Sequence, residues 1–300
     1  MKEAKISSPI VLFVYNRPLH TQQTIEALQR NELAQESELF IYSDAPKNSE
    51  AQKGVDDVRS YIDTIKGFKK ITIVKREKNW GLANSIIDGV TSIVNQYGKI
   101  IVLEDDLVTS PYFLKFMNDA LDFYENNKKV WHISGWNYPI DKKGLDDIFL
   151  WRVMNCWGWA TWADRWQYYE RNVDKTVAQF TQNDINKFNL DGVENFWGQV
   201  LLNQQGAIHT WAIFWYATIF RHGGLCLNPT QTFVENIGHD GTGEHCSLKV
   251  YEDRVQEHYT IEFKPLESEE PRAVKTIKEH LHVSIITKLQ RKIKRVLRWK

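Results

Sequence analysis

Four short apolar runs in the first third of the chain constrain the fold most strongly. Each run is rich in β-branched or aromatic residues, and amphipathic stretches separate them. The runs are PIVLFVY (9–15), ELFIY (38–42), KITIV (70–74) and KIIVL (99–103). Continuous apolar runs are typical of strands whose two faces are both covered by helices. This rhythm predicts an α/β/α sandwich with a mostly parallel central sheet.

Polar residues follow each of the four runs. Ligands bind at the carboxyl ends of the strands in parallel sheets, so these exits are expected to form one cleft. Asn16, Arg17 and Asp44 are candidates for base and ribose recognition, and Trp80 or Tyr15 for stacking, although Asp44 also fits an ordinary turn. The candidate ligand-binding residues are therefore Asn16, Arg17, Asp44, Trp80, Gly81, Glu104 and Asp105.

Three adjacent carboxylates, Glu104, Asp105 and Asp106, end the fourth run. Like charges at the end of a buried strand are costly unless a cation neutralises them, and hard carboxylate oxygens favour Mg²⁺ or Mn²⁺. The alternative is an acidic first turn of a helix. His245, near the end of the glycine-rich loop NIGHDGTGEHC, is a further candidate ligand that would favour Mn²⁺, and His239 competes for that role.

The strand and helix rhythm is lost after residue 130. Apolar runs follow at 130–134 and 149–153, and an apolar helical pattern lies at 211–222. Between them lies the aromatic segment CWGWATWADRWQYY (156–169). Its tryptophans fit either core packing or a flat platform for a sugar ring.

Charge is segregated along the chain. Residues 288–300 carry seven Lys or Arg and no acid, and since the whole chain has a formal charge of zero, the preceding residues carry minus seven. A basic amphipathic helix favours attachment to an anionic membrane surface; a docking helix and a nucleic-acid patch are the alternatives, and no nucleic-acid partner is expected. Its predicted apolar face comprises Leu281, Ile285, Leu289, Ile293 and Val296.

The expected location is the cytoplasm, with peripheral attachment at the inner face of the membrane. Three widely spaced cysteines indicate neither a disulfide framework nor a zinc site, and the first apolar stretch is too short for a signal peptide. The chain is expected to contain a donor-binding half (1–130) and an acceptor-binding half (131–262) of one domain. A linker and the amphipathic helix follow (263–300).

Six segments in this order resemble GT-A-type glycosyltransferases. The chain is similar to bacterial members of glycosyltransferase family two and to N-acetylglucosaminyltransferases with an EDD metal motif. The resemblance implies that Asp106 contacts the metal, that Glu104 and Asp105 assist at the metal or ribose, and that Asp44 lies at the nucleobase. The segments are FVYNRP (13–18), YSDAP (42–46), NWGLANSI (79–86), VLEDDLVTSPYFL (102–114), CWGWATW (156–162) and NIGHDGTGEHC (236–246).

This resemblance implies transfer of a hexosyl or N-acetylhexosaminyl group. The donor would be a nucleotide-diphosphate sugar, with a UDP-sugar favoured, and the acceptor a hydroxyl of a glycan or lipid-linked molecule. Inversion by one direct displacement is also implied, and this requires a general base. The family pattern has an aspartate just before the tryptophan that is Trp211 here, where this chain has Ile208-His209-Thr210. The candidate bases are His209, Asp164 and Glu194, which falls on a predicted helix.

Two other functions fit parts of the sequence. A non-catalytic carbohydrate- or nucleotide-binding protein of the same fold would explain the missing aspartate near Trp211. A sugar-1-phosphate nucleotidylyltransferase would need a glycine-rich phosphate loop after the first strand, where this chain has Tyr15-Asn16-Arg17-Pro18.

Overall fold

The first half of the chain alternates strands and helices, in agreement with the four apolar runs. A computed structural model describes residues 7–240 and 255–282. The elements of the first half are β1 (Ile10–Val14), α1 (Pro18–Gln29), β2 (Glu38–Ser43), α2 (Ser49–Ile62), β3 (Lys70–Lys75), α3 (Leu82–Tyr97) and β4 (Lys99–Glu104), with a 3₁₀ turn at Ala34–Glu36.

The second half has shorter and less regular elements. The strands are β5 (Leu107–Thr109), β6 (Val130–Ser134), β7 (Ile148–Trp151), β8 (Trp159–Trp162), β9 (Leu225–Pro229) and β10 (Val234–Asn236). The helices are α4 (Phe113–Tyr124), α5 (Ala163–Trp166), α6 (Val173–Gln179), α7 (Gln182–Phe188), α8 (Phe196–Gln204) and α9 (Ala212–Arg221).

Both halves contribute to one eight-stranded sheet. Its strand order is β3-β2-β1-β4-β8-β6-β9-β7. Strands β8 and β7 run antiparallel to their neighbours, and the other six share one direction. The predicted mostly parallel sheet is therefore confirmed. A separate two-stranded ribbon pairs β5 with β10.

The side chains of β1 show why its sequence is continuously apolar. Val11 and Phe13 belong to the core on one face of the sheet, whereas Ile10, Leu12 and Val14 belong to the core on the other. All five are buried. Helices cover both faces, so no position of β1 meets solvent, and the predicted three-layer sandwich is the observed architecture.

The aromatic segment contributes mainly to the core. Trp159 and Trp162 lie on β8, which pairs with β4, and Trp166 ends α5. All three are buried, and the Trp159 ring stacks on Trp211 at a centroid distance of 5.1 Å. The core interpretation is thus correct for these three tryptophans, while Trp157 is only partly buried.

Residues 271–282 form a helix whose apolar face packs against the second half. Ala273, Val274, Ile277 and Leu281 are all buried in the core. The expectation that Leu281 faces a membrane is therefore wrong, because the body of the protein already covers this side chain. The other four residues of the predicted apolar face lie outside the described residues. None of the described helices has the length and apolar character needed to cross a bilayer.

Three linked ion pairs hold this C-terminal helix in place. The Lys278 ammonium contacts Asp191, which also pairs with Arg152 at 3.0 Å. Arg152 in turn makes a forked pair with both carboxylate oxygens of Glu269, at 2.9 and 2.7 Å. Bidentate pairs of this kind have a defined geometry. They fix the start of the helix against β7 and the turn that contains Asp191.

A buried histidine lies in the centre of the sheet. His132 of β6 is fully buried, and its Nδ1 accepts a hydrogen bond from Trp215 Nε1 at 3.2 Å. Its Nε2 therefore carries the proton and donates to the carbonyl of Asn155 at 2.9 Å. Burial disfavours the charged imidazolium and lowers the pKa of His132 to about 3.

We expect this histidine to make the protein acid-sensitive. Because the folded pKa is lowered, the unfolded chain binds more protons below the usual pKa of 6.5, and stability falls as pH falls towards 3. Between pH 7 and pH 5 the contribution of His132 to the unfolding free energy should fall by about 2 kcal/mol. Urea unfolding of wild type and His132→Gln at both pH values measures it: the cost of the substitution should shrink by that amount at pH 5.

The exposed His258 provides the matched control. The cost of His258→Gln should be the same at pH 7 and pH 5. A His132→Gln cost that does not change with pH would contradict the buried neutral state of His132.

Candidate active site

The carboxyl ends of β1 to β4 open into one cleft with a volume of about 1110 Å³. This volume is slightly above the usual range for small-molecule sites, roughly 300–1,000 Å³. Most residues singled out from the sequence line it, as expected from their positions after parallel strands. These are Asn16, Arg17, Asp44, Trp80, Gly81, Glu104, Asp105, Asp106 and His209.

Arg17 neutralises the acidic cluster at the end of β4. Its Nη2 donates to Asp106 Oδ2 at 2.9 Å and also contacts Asp105 Oδ1. Asp105 and Asp106 are only 5% and 7% exposed. Two buried carboxylates side by side would be very costly without such a partner. The positive charge that we expected beside these carboxylates is thus partly supplied by the guanidinium of Arg17.

The environment of the cluster perturbs its carboxylates. Burial raises the pKa of Asp105, and the positive charge of Arg17 acts in the opposite direction. The pKa of Glu104 rises to about 8, mainly because of burial and then because of the charges on Asp106 and Asp105. Asp105 Oδ2 is buried and has no hydrogen-bond partner among the described residues. The cluster therefore retains acceptor capacity that Arg17 does not satisfy.

The ribbon of β5 and β10 brings a glycine directly against this cluster. The backbone N–H of Ile237 donates to the carbonyl of Asp106 at 2.9 Å. At Gly238, an added Cβ atom would lie 2.1 Å from Asp106 Oδ2. Next along the chain, Asp240 Oδ2 lies 3.2 Å from Nε2 of His20 on α1. Only glycine fits at position 238 while the Asp106 carboxylate keeps its place.

Asp44 connects the second and third strand exits. Its two oxygens accept hydrogen bonds from the backbone N–H groups of Ala45, Trp80 and Gly81 at 2.8–3.1 Å, and from the Asn79 amide at 3.2 Å. Gly81 is the N-cap residue before α3 and has a φ of +74°, a conformation that favours glycine. The carboxylate thus holds the 79–81 segment against β2. Its role at a nucleobase stays a prediction.

The two aromatic candidates lie in the cleft with partners of their own. The Arg76 guanidinium lies 3.9 Å from the ring centroid of Trp80, so a cation already covers one face of this indole. The Tyr15 hydroxyl accepts a hydrogen bond from the backbone N–H of Lys47 at 3.0 Å. Both rings are therefore fixed at the cleft before any ligand is present.

His209 is the one candidate base that lines the cleft, and it is paired with Arg171. The Arg171 Nη2 lies 3.2 Å from His209 Nδ1. An arginine can only donate, so Nδ1 accepts and the proton of the neutral imidazole lies on Nε2. In this tautomer the imidazole of His209 keeps one N–H donor and has no unoccupied acceptor nitrogen. Sequence reasoning missed Arg171, because a single arginine outside any motif gives no signal.

The other candidate bases are not among the described residues that line the cleft. Burial raises the pKa of Asp164, but ion pairs with Lys128, at 2.7 Å, and with Arg165 have the opposite effect and outweigh it. The pKa is therefore lowered, which makes Asp164 a weaker base. The sequence predicts Glu194 on a helix, but in the structure this residue precedes α8.

The two histidines of the glycine-rich loop, His239 and His245, are candidate metal ligands, and the structure describes only the first. His239 packs edge-to-face against Trp157 at a centroid distance of 5.3 Å. His245 lies outside the described residues, so its role as a metal ligand stays a prediction.

The donor set at the cluster suits a hard divalent cation. Asp105 and Asp106 offer carboxylate oxygens at the cleft, one of which has no partner among the described residues. Mg²⁺ is commonly held by one or two carboxylates together with substrate phosphates, so a complete protein cage is not needed. Within the described ranges, no three His, Cys, Asp or Glu side chains are arranged so that they could hold a metal ion by themselves. The two aspartates fit an ion that a phosphate ligand helps to hold.

Several solved structures resemble this chain at low sequence identity. Examples are TarS of S. aureus, at 14% identity and a TM-score of 0.29 over 42% of this chain, and the mannosyltransferase PcManGT from Pyrobaculum calidifontis in complex with GDP-Man and Mn²⁺, at 9% and 0.38 over 74%. A third is an active-site mutant of LgtC, at 6% and 0.37 over 70%.

The alignments cover 21% of TarS, 73% of PcManGT and 70% of LgtC. This chain thus spans about a fifth of TarS. No family model matches the chain, and no curated protein sequence matches it either. Because the TM-scores and identities are low, these likenesses carry no conclusion about the substrate or mechanism of this chain.

We expect Gly238→Ala to destabilise the protein through its contact with Asp106. The added methyl group would displace the Asp106 carboxylate from Arg17, and overpacking of this kind costs roughly 1–3 kcal/mol. A double-mutant cycle with Asp106→Ala, followed by urea unfolding, measures how much of this cost depends on the Asp106 side chain. Removing the carboxylate should lower the cost of Gly238→Ala by about 1 kcal/mol or more.

Gly198→Ala is the control for the cycle. Its added methyl group meets the Asn195 side chain at 2.7 Å, far along the chain from the cluster. Its cost should be the same in both backgrounds. If the cost of Gly238→Ala is also the same in both, the close contact with Asp106 is not the cause.

Proposed function

We propose that this chain is a glycosyltransferase that uses a nucleotide-diphosphate sugar, with a UDP-sugar favoured. It would transfer a hexosyl or N-acetylhexosaminyl group to a glycan or lipid-linked acceptor, with inversion by direct displacement. The observation that carries the proposal is the convergence of four strand exits on one cleft, where Arg17 bridges Asp105 and Asp106. Two carboxylates that suit a divalent ion and a guanidinium that suits a phosphate therefore lie side by side in the cleft.

Asp106 and Asp105 would hold Mg²⁺ or Mn²⁺, with His245 as a further candidate ligand. Such an ion, when bound, stabilises the negative charge that develops on the leaving diphosphate. Arg17 can donate N–H groups to the same charge, because its Nη1 is buried without a partner among the described residues. Asp44 fixes the 79–81 segment that forms the wall of the cleft. Direct displacement needs no protein nucleophile.

We expect the divalent ion and the nucleoside diphosphate to bind together. Arg17 already compensates the cluster, so Mn²⁺ alone should change the melting temperature by less than about 1 °C. UDP with Mn²⁺ at about 100 times its Kd should raise it by roughly 5 °C. Asp106→Asn, which removes the charge but keeps the shape, should abolish that shift in a thermal unfolding assay.

Asp57→Asn serves as the charge-matched control, because Asp57 pairs with Lys53 on the exposed side of α2. This variant should show the wild-type shift. A full shift with Mn²⁺ alone would contradict joint binding, and an unchanged shift in Asp106→Asn would exclude Asp106 as a ligand.

A non-catalytic binding protein is the second candidate, and one observation favours it. Among the described residues that line the cleft, none after Asp106 is a carboxylate, so the second half brings no acidic base there. Incubation with a panel of nucleotide sugars and lipid-linked acceptors separates the two functions. We expect transfer or donor hydrolysis that is lost in Asp106→Asn. Binding without any turnover across the panel would instead support the non-catalytic protein.

We further propose a cytoplasmic location with peripheral attachment to an anionic membrane. The seven cations of residues 288–300 support this, since each cation near anionic lipid contributes about 1 kcal/mol. Because Leu281 is buried in the body, the proposed attachment is assigned to residues beyond 282.

A further inference from the structure

The second half of the chain contributes a pair of hydrogen-bond donors to the cleft. Arg171 and His209 both line it and contact each other at 3.2 Å. Arg171 is not exposed, its Nε is buried without a hydrogen-bond partner, and within 7–240 and 255–282 it has no carboxylate partner. A partly buried guanidinium without a counter-ion favours the binding of an anion.

His209 reinforces this preference. Its Nδ1 accepts from Arg171, so its Nε2 carries an N–H, and the residue lines the same cleft. Two adjacent donors, one permanently charged, suit the oxygens of a phosphate group. The same tautomer has no free lone pair on Nε2 and cannot remove a proton from an acceptor.

The distribution of carboxylates in the cleft points in the same direction. Among the described residues, the carboxylates that line it are Asp44, Glu50, Glu104, Asp105 and Asp106, and all precede residue 107. Asp44 accepts from four donor groups, and Arg17 contacts one oxygen of Asp105 and one of Asp106. No described carboxylate of the second half lines the cleft with Arg171 and His209. A neutral hydroxyl acceptor would need a general base beside it. An acceptor whose attacking oxygen is already anionic needs none.

We propose that Arg171 and His209 bind the phosphate group of a phosphate-monoester acceptor, and that an oxygen of this phosphate is the nucleophile. This proposal rests on the proposed glycosyltransferase function. The phosphate oxygen forms a bond to C1 of the sugar while the bond from C1 to the diphosphate oxygen breaks. The bonding electrons leave with the nucleoside diphosphate, and no proton has to be removed. The product is a glycosyl phosphodiester.

Octyl phosphate tests the subsite, with octyl glucoside as the neutral probe of the same chain length. Calorimetric titration into the full-length protein with UDP and Mn²⁺ already bound should detect octyl phosphate but not octyl glucoside. Arg171→Gln should weaken octyl phosphate binding about tenfold or more, because a charged hydrogen bond is lost. Arg171→Lys should recover part of the affinity, and His209→Gln, which keeps an N–H donor, should bind more tightly than His209→Ala.

UDP titrations of the same variants identify which phosphate the pair serves. The affinity for UDP should stay within about twofold in Arg171→Gln if the pair serves the acceptor. Lys175→Gln is the matched control, since this lysine lies four residues away, pairs with Glu170 and does not line the cleft. It should leave both affinities unchanged.

Three results would overturn the proposal. The first is that Arg171→Gln loses affinity for UDP but not for octyl phosphate. The second is that the wild-type protein does not bind octyl phosphate. The third is that octyl glucoside binds as tightly as octyl phosphate. Failure of the proposed function is a separate result, because it would appear as absent UDP and Mn²⁺ binding in the wild type before any acceptor probe is added.

Discussion

The contact of Arg17 with Asp105 and Asp106 is the interaction on which the site depends. It joins the ends of two neighbouring parallel strands, β1 and β4. Arg17 precedes Pro18, and a residue before proline is restricted to extended conformations, so its side chain leaves the strand exit before α1 begins. Thr24 of α1 then accepts from the Leu107 N–H and donates to the Asp105 carbonyl. These contacts hold α1, the end of β4 and the Arg17 side chain in fixed positions relative to one another.

The cleft is chemically asymmetric. The first half supplies every carboxylate among its described lining residues, whereas the second half supplies Arg171, His209 and the apolar residues Ala207 and Ile208. Two opposite kinds of ligand are therefore accommodated in one cavity. Cations are favoured at the strand ends of the first half, and anions at the wall of the second. A substrate that carries phosphate at two positions, with a metal between protein and phosphate, matches both requirements.

The sequence predicted the sheet, and it also predicted which residues of the first half line the cleft, for physical reasons. Continuous apolar runs such as 9–15 are read directly as doubly covered strands, and parallel strands bring their exits together. The second half was harder to predict, because its contacts join distant segments without periodicity. The pairing of Arg171 with His209 spans 38 residues, and neither residue belongs to a motif. The requirement for glycine at 238 likewise arises only from the fold, through pairing of β5 with β10.

The same limit explains the error at Leu281. Helical periodicity identifies an apolar face but does not say what covers it, and here the covering surface is the protein itself. The ion pairs of Arg152, Glu269, Asp191 and Lys278 add to this apolar contact. The chain beyond residue 282 therefore follows a helix that is anchored to the half of the molecule that carries Arg171 and His209. A partner bound by the basic residues beyond 282 would thereby be tethered to that half.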